Sequence, residues 1–310
     1  MSRRGLLLFL ALSTIWGLPY LMIRVAVREV DPATLVFLRT APAALLLVPI
    51  AWRAGAFRAL SGRWAFVVAY TVIEFGVPWL LMSSAEQHLT SSVTGMLVAT
   101  VPLLAAIVAR YTHPDERFGP ARVAGLVLGA LGVGLLVGFD VSGSNMVWIA
   151  AMGVVVVGYT IGPVIISLRL QGVPGIGVVA SSVLLVALAY APFGVTHMPS
   201  HVSWNVVGAI AVLALLCTAA AFLIFFELIH EVGPSRTVVV TYLNTAVAVL
   251  LGIAVLGESL SVGLLLGFPL IIAGSVLATR SSRAVSEGEP TASGAPRRSW
   301  RRASRTAQPR

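Results

Sequence analysis

An all-α integral membrane protein of ten transmembrane helices, arranged as two inverted five-helix repeats, is the fold class this sequence predicts. Three observations predict it. The 310 residues are 58% hydrophobic and only 11% charged, against about 25% charged in a soluble domain, and mean hydropathy is +0.94. Apolar stretches of membrane-spanning length recur along the chain with short loops between them. Arginine concentrates on alternate loops. A chain this poor in charge cannot cover a water-facing surface, so its solvent is mostly lipid.

A spanning helix needs about 20 mostly apolar residues at about 1.5 Å rise each. Segments 6–24, 34–52, 64–82, 91–109, 121–139, 146–168, 178–196, 205–229, 237–256 and 262–279 meet that requirement. The first follows Met1-Ser2-Arg3-Arg4 and resembles a signal peptide at its start. Its apolar run is too long for an h-region and no clear small-x-small cleavage site follows, so a retained helix is expected. Charges, prolines and polar clusters separate the others: Arg28-Glu29 with Asp31-Pro32, Arg58 to Arg63, Glu86 to His88, His113 to Arg117, Asp140 to Asn145, Arg169 to Pro174, His197 to His201, Glu231 to Arg236 and Glu258 to Ser261. Loops this short make sequential helices antiparallel neighbours.

Orientation follows from arginine placement, since cytoplasmic loops carry the excess of basic residues. All 21 basic residues are arginine. With the N-terminus in the cytoplasm, the inner segments before residue 280 hold Arg3, Arg4, Arg53, Arg58, Arg63, Arg110, Arg117, Arg122, Arg169 and Arg236, and the outer loops hold only Arg24 and Arg28. Ten helices also return the C-terminus to the cytoplasm of a bacterial-type inner (plasma) membrane. Residues 280–310 change composition abruptly, with eight arginines against two glutamates among Ser, Pro, Ala and Gly. Such a segment cannot bury a core, so a disordered, topogenic tail is expected. The net charge of +9 is concentrated mostly there and is no sign of nucleic-acid binding by the folded body.

An internal repeat accounts for the helix count. Under a shift of 142 residues, Glu116, Gly125 and Gly132 fall on Glu258, Gly267 and Gly274, His88 falls on His230, and Pro102 falls on Asn244. The shift spans five helices, an odd number, so residues 1–139 and 140–279 form two repeats standing upside down relative to each other. Inverted repeats of this kind give secondary transporters two states of similar energy, each open to one side, with substrate bound near the midplane.

The residues also resemble a known family. Ser13-Thr14-Ile15-Trp16-Gly17, Phe37-Leu38-Arg39, Glu74-Phe75-Gly76-Val77-Pro78 on to Glu86, Ser91-Ser92, Gly95 and Thr100-Val101-Pro102-Leu103 lie in the first repeat. Val232-Gly233, Val255-Leu256-Gly257-Glu258-Ser259-Leu260, Gly267 and Gly274 lie in the second. In this order and spacing they resemble the EamA-type ten-helix exporters of the drug/metabolite transporter superfamily, over about residues 5–280. Asn244-Thr245, where the family usually has proline, and Glu227 depart from its pattern. The resemblance implies movement of amino acids or other small metabolites by alternating access, usually outward. Proton antiport and facilitated diffusion both stay open.

Ionisable groups inside a membrane are costly and tend to face a cavity or a partner. Glu74, near the middle of the third helix, is suited to accept a proton or hold an amine, or else to serve as a structural carboxylate bonded to a neighbouring Ser, Thr or Trp. Arg39, one to two turns into the second helix, is suited to fork onto a substrate carboxylate or to serve as a fixed partner for an acid such as Glu74. Glu227 lies near the end of the eighth helix and reads as interfacial. Trp16, Tyr20, Trp79, Tyr159, Tyr242 and Asn244 are candidates for the cavity wall. Pro19, Pro78, Pro102 and Pro163, with Pro269, are candidate kinks or hinges because each removes a backbone donor. Gly125, Gly129 and Gly132 allow close helix approach, within the chain or between two copies as a homodimer. Glu116 and Glu258 are expected to cap the helix that follows each of them.

Other classes have less support. His88, His113, His197, His201 and His230 are scattered in loops or at helix ends, and no nucleotide-binding or cofactor motif appears. The single cysteine, Cys217, lies in an apolar run and reads as a core residue, with no cysteine-histidine cluster for zinc. An intramembrane enzyme therefore lacks a constellation, and a non-transporting sensor or assembly protein lacks an extra domain. The expected partners are the lipid bilayer and a small-molecule substrate.

Overall fold

The computed structural model describes residues 2–112, 119–140, 145–232, 237 and 240–279. Ten helices follow one another there: α1 (Arg3–Ala26), α2 (Pro32–Arg53), α3 (Trp64–Ala85), α4 (Ser91–Tyr111), α5 (Pro120–Asp140), α6 (Met146–Arg169), α7 (Gly175–Thr196), α8 (Trp204–Val232), α9 (Val240–Leu256) and α10 (Val262–Thr279). Among the described residues nine are long and apolar enough to span a bilayer, and α9, described over 17 residues, is the shorter tenth. The sequence-derived segments coincide with them to within a few residues at each end. Glu116, His113, Arg117, Arg236 and the 280–310 tail lie outside the described residues.

Helix starts carry side chains that accept the free N–H groups of a first turn. Ser2 accepts from Gly5 N (2.9 Å), Asp31 from Ala33 N (2.9 Å), Thr90 from Val93 N (3.2 Å), Ser203 from Val206 N (3.4 Å) and Ser261 from Leu264 N (3.0 Å). Along the helices, Leu45, Leu46, Val127, Leu131, Leu188, Leu250 and Leu265 point outward and are exposed. Such a surface suits lipid rather than water.

The two halves are inverted. α1 begins on a face where Arg4 pairs with Glu227 of α8 at 2.6 Å; this is the Arg4 face. α6 begins on the opposite face, where Asn145 Nδ2 donates to the His88 carbonyl (3.3 Å) and Trp148 stacks on His88 with 4.2 Å between ring centroids. That is the Arg24 face, since Arg24 at the far end of α1 donates there to the Glu86 carbonyl. Helix contacts repeat the symmetry. α2 packs along its counterpart α7, α5 packs along α10, and α1 packs on α8 and α9 as α6 packs on α3 and α4.

The α5–α10 contact is built on glycine. A Cβ on Gly125 would lie 2.6 Å from the Gly274 carbonyl oxygen, one on Gly132 2.8 Å from the Gly267 oxygen, and one on Gly274 2.5 Å from Gly129 N. With no side chains in the way the backbones approach closely, as small residues allow in membranes. The glycine stripe of α5 is thus filled within the chain.

Two helices depart from α geometry at equivalent places. A π-helical segment covers Thr71–Gly76 in α3 and another covers Val212–Ala220 in α8. The 142-residue shift lays the first inside the second. In α3, Pro78 has no N–H for the Glu74 carbonyl, and Val77 N bonds back to Val72 O instead. α4 breaks after Val98, where Pro102 offers no N–H to the Val98 carbonyl. Pro19, Pro163 and Pro269 sit inside helices that run on without interruption.

Candidate functional site

The π-helical segments hold the buried charge. Arg39 comes off α2 about 10 Å along from its first residue and is buried to 5% exposure. Its Nε donates to Thr218 Oγ1 in the α8 π segment at 3.1 Å. Its guanidinium carbon stands 3.7 Å above the centroid of Trp79, one turn beyond the α3 π segment. That cation–π contact is worth about 2 kcal/mol when desolvated. Among the described residues no carboxylate lies within ion-pair distance of Arg39; Glu74 is not its fixed partner. Burying a guanidinium without an acid beside it is costly.

Glu74 sits in the α3 π segment itself. Its Oε2 is buried with no hydrogen-bond partner. The carboxylate occupies the notch left by Gly162 on α6, where any Cβ would collide with Oε2. Gly158, one turn earlier, likewise admits no side chain against the Ile73 carbonyl and Pro78. Tyr159 of α6 has Glu74, Arg39 and Trp79 as its electrostatic neighbours. Tyr20 of α1 is buried beside Tyr159, Glu86 and Arg39. Arg39, Glu74, Trp79, Tyr159 and Tyr20 are therefore brought together from α1, α2, α3 and α6, across both repeats.

An aromatic row leads from this cluster into the second half. Trp79 meets Phe75 edge-on (5.0 Å), Phe75 meets Phe222 (5.6 Å), and Phe222 meets Trp16 edge-on (5.9 Å). Trp16 thereby joins the cluster indirectly. Asn244 is buried on α9, accepts from Thr245 Oγ1 at 3.3 Å, and its carbonyl presses on Gly17 of α1. Tyr242 stands apart, with its hydroxyl on Thr279 Oγ1 at 3.0 Å. Glu227 is an exposed partner of Arg4, as its interfacial reading expects. Cys217 is buried and donates to the Ile15 carbonyl at 3.4 Å.

One expectation is overturned and one site was missed. Glu258 does not cap the helix that follows it; Ser261 does that. Gly257, at φ 68°, turns the chain back so that Glu258 reaches across the repeats to the start of α4. There it accepts from Ser91 N (2.7 Å), Ser91 Oγ (2.9 Å), Ser92 N (3.0 Å) and Ser92 Oγ (2.5 Å). A carboxylate at a helix N-terminus meets both free donors and the positive dipole end. Gly252 leaves the room, since a Cβ there would lie 2.5 Å from Glu258 Oε2.

Beside this knot lies Glu86, just past the end of α3 and fully buried, with no hydrogen-bond partner for either carboxylate oxygen. Glu86 shows in the sequence only through its place in a family-like motif, and Glu258 also through its repeat match to Glu116. His197 and His201 stand four apart but in a non-helical loop, and among the described residues no three His, Cys, Asp or Glu side chains could hold a metal.

Ten apolar helices, two inverted halves and a buried charged cluster shared between them define a polytopic membrane transporter. The EamA-like transporter family matches residues 3–138 and 146–280, one stretch per half, and the chain belongs to that family. It is a transporter and not an enzyme. It is 27% identical over 267 residues to the inner membrane transporter YedA of Escherichia coli, covering 81% of this chain and 82% of that protein. It is 28% identical over 123 residues to protein PagO of Salmonella typhimurium, covering 39% of this chain and 40% of that one. A solved crystal structure shares the fold with a TM-score of 0.64 at 20% identity, over 90% of this chain and 97% of that chain.

Proposed function

We propose that the protein is a secondary transporter of the inner membrane that exports amino acids or related small amphipathic solutes by alternating access. The observation that carries this reading is Arg39: a buried guanidinium with an aromatic floor and a hydroxyl partner but, among the described residues, no acid within ion-pair distance. Such a group suits a substrate carboxylate. Glu74, in its glycine notch, suits the amine of the same solute or a proton exchanged for it. Tyr159, Tyr20 and the Trp79 row supply amphipathic walls. Among the described residues, eight arginines (Arg3, Arg4, Arg53, Arg58, Arg63, Arg110, Arg122 and Arg169) lie toward the Arg4 face against Arg24 and Arg28 on the other, which favours a cytoplasmic Arg4 face, with both termini inside.

The test is to overproduce wild type, Glu74→Gln and an empty vector in cells and compare extracellular metabolites at equal membrane levels. One solute class should appear outside with wild type alone. Equal export by wild type and Glu74→Gln would remove Glu74 from the site and leave transport standing. No difference between wild type and empty vector would argue against export.

A further inference from the structure

We propose that Glu86 is a proton-binding site that governs the seal on the Arg24 face: its carboxyl carries a proton while Glu258 holds the start of α4, and losing that proton opens the face. The proposal deepens the transport reading by assigning proton binding to a residue outside the Arg39–Glu74 cluster.

The geometry argues for a neutral Glu86. The side chain is fully buried and neither oxygen reaches a donor. The nearest guanidinium, Arg24, spends its Nη1 on the Glu86 main-chain carbonyl rather than on the carboxylate. An ionised carboxylate in that place would draw the guanidinium over, because a buried charge without a partner is strongly unfavourable. The charged and titratable groups around Glu86 are Arg24 and Tyr20 from α1, Arg39 from α2, and Glu258 from the turn after α9. Glu258 acts wholly as an acceptor, toward four donors of Ser91 and Ser92. Ionising Glu86 would set a second negative charge beside it within the seal.

Release of the proton needs only water on the Arg24 face as acceptor; no other bond is made or broken. The new carboxylate then either recruits Arg24 away from the Glu86 carbonyl or draws water in, and both movements loosen the end of α1 from the segment after α3 and from α4. Burial also pushes the Glu86 carboxyl well above the usual carboxylate range, with Arg24 and Arg39 opposing it and Glu258 adding to it. A value raised in the sealed form favours that form at low pH. The advantage disappears as pH rises through the raised value.

Two measurements on the purified full-length chain test this without any transported solute. First, the infrared band of a protonated carboxyl should be present at neutral pH in wild type. It should persist in Glu74→Gln, lose its Glu86 component in Glu86→Gln, vanish when both are replaced, and change frequency in Glu86→Asp. Second, Val93→Cys places a thiol on a buried position just beneath the seal, in a Cys217→Ala background.

Labelling of that thiol by a water-soluble maleimide, taken as a ratio to Glu258→Gln so that the thiol's own ionisation cancels, should rise with pH by up to about tenfold per unit, the limit for one proton. Glu86→Gln should stay unlabelled at every pH, and Glu258→Gln should label at every pH. A carboxyl band unchanged by Glu86→Gln or Glu86→Asp, or a pH-dependent rise that survives Glu86→Gln, overturns the proposal. A protein that exports nothing yet shows both signatures would overturn the proposed export and leave the proton site intact.

Discussion

Arg39 is held by shape as much as by charge. Its planar guanidinium lies on Trp79 while Nε bonds Thr218, and lysine offers neither the plane nor the fixed fork. Arg39→Lys is expected to lower stability by about 2 kcal/mol, the size of a desolvated cation–π contact, read as a fall in Tm in detergent. It should also abolish export in the metabolite comparison. Gly162 makes a second single-atom test. Gly162→Ala puts a methyl group into the Glu74 carboxylate, whereas Gly153→Ala on the same helix meets nothing within 4 Å.

The first should reduce export at least about tenfold and cost about 1–3 kcal/mol through overpacking; the second should leave both unchanged. Arg39 and Glu74 were legible in the sequence because each is a lone charge inside an apolar run. Glu86 and Glu258 were not, because each sits in a polar cluster between helices, where a charge is ordinary. What sets them apart is burial and partners 166 and 167 residues away in the case of Glu258, which no local pattern carries.

At the level of elements, the helices and their order were legible and their irregularities only partly so. Hydropathy locates a span because every lipid-facing position must be apolar. It carries no signal for the π segments at Thr71–Gly76 and Val212–Ala220, since α8 bears no proline there and composition does not distinguish the registers. Of the five candidate kinks, Pro102 coincides with a real break and Pro78 borders a π segment, while Pro19, Pro163 and Pro269 lie in continuous helices. Pro102→Ala returns a donor to the Val98 carbonyl. It should restore regular helix across Ala99–Thr100, seen as slower amide exchange there, and slow transport several-fold if the break is a hinge. Unchanged exchange would mean that tertiary packing, not proline, breaks α4.

For the whole molecule, the seam between α5 and α10 is a contact with no room for side chains. Its glycines face one another's backbones, so Gly274→Leu must drive the two helices apart. The expected result is loss of monodisperse protein on size exclusion at unchanged synthesis. Gly138→Leu, on α5 but with nothing within 4 Å, should behave as wild type. The repeat was visible in the sequence through Gly125, Gly132, Gly267 and Gly274, because backbone contact leaves a glycine no substitute. That the pairs cross over, Gly125 against Gly274 and Gly132 against Gly267, follows from antiparallel packing of α5 and α10, which no local pattern carries.

The knot at Ser91 and Ser92 sets an order on the birth of the molecule. Their donors emerge from the ribosome long before Glu258, 166 to 167 residues later. Until the ninth helix has entered the bilayer, the start of α4 has no carboxylate to receive it. The nascent first half is therefore an unfinished object, and the turn after α9 is the clasp that closes it.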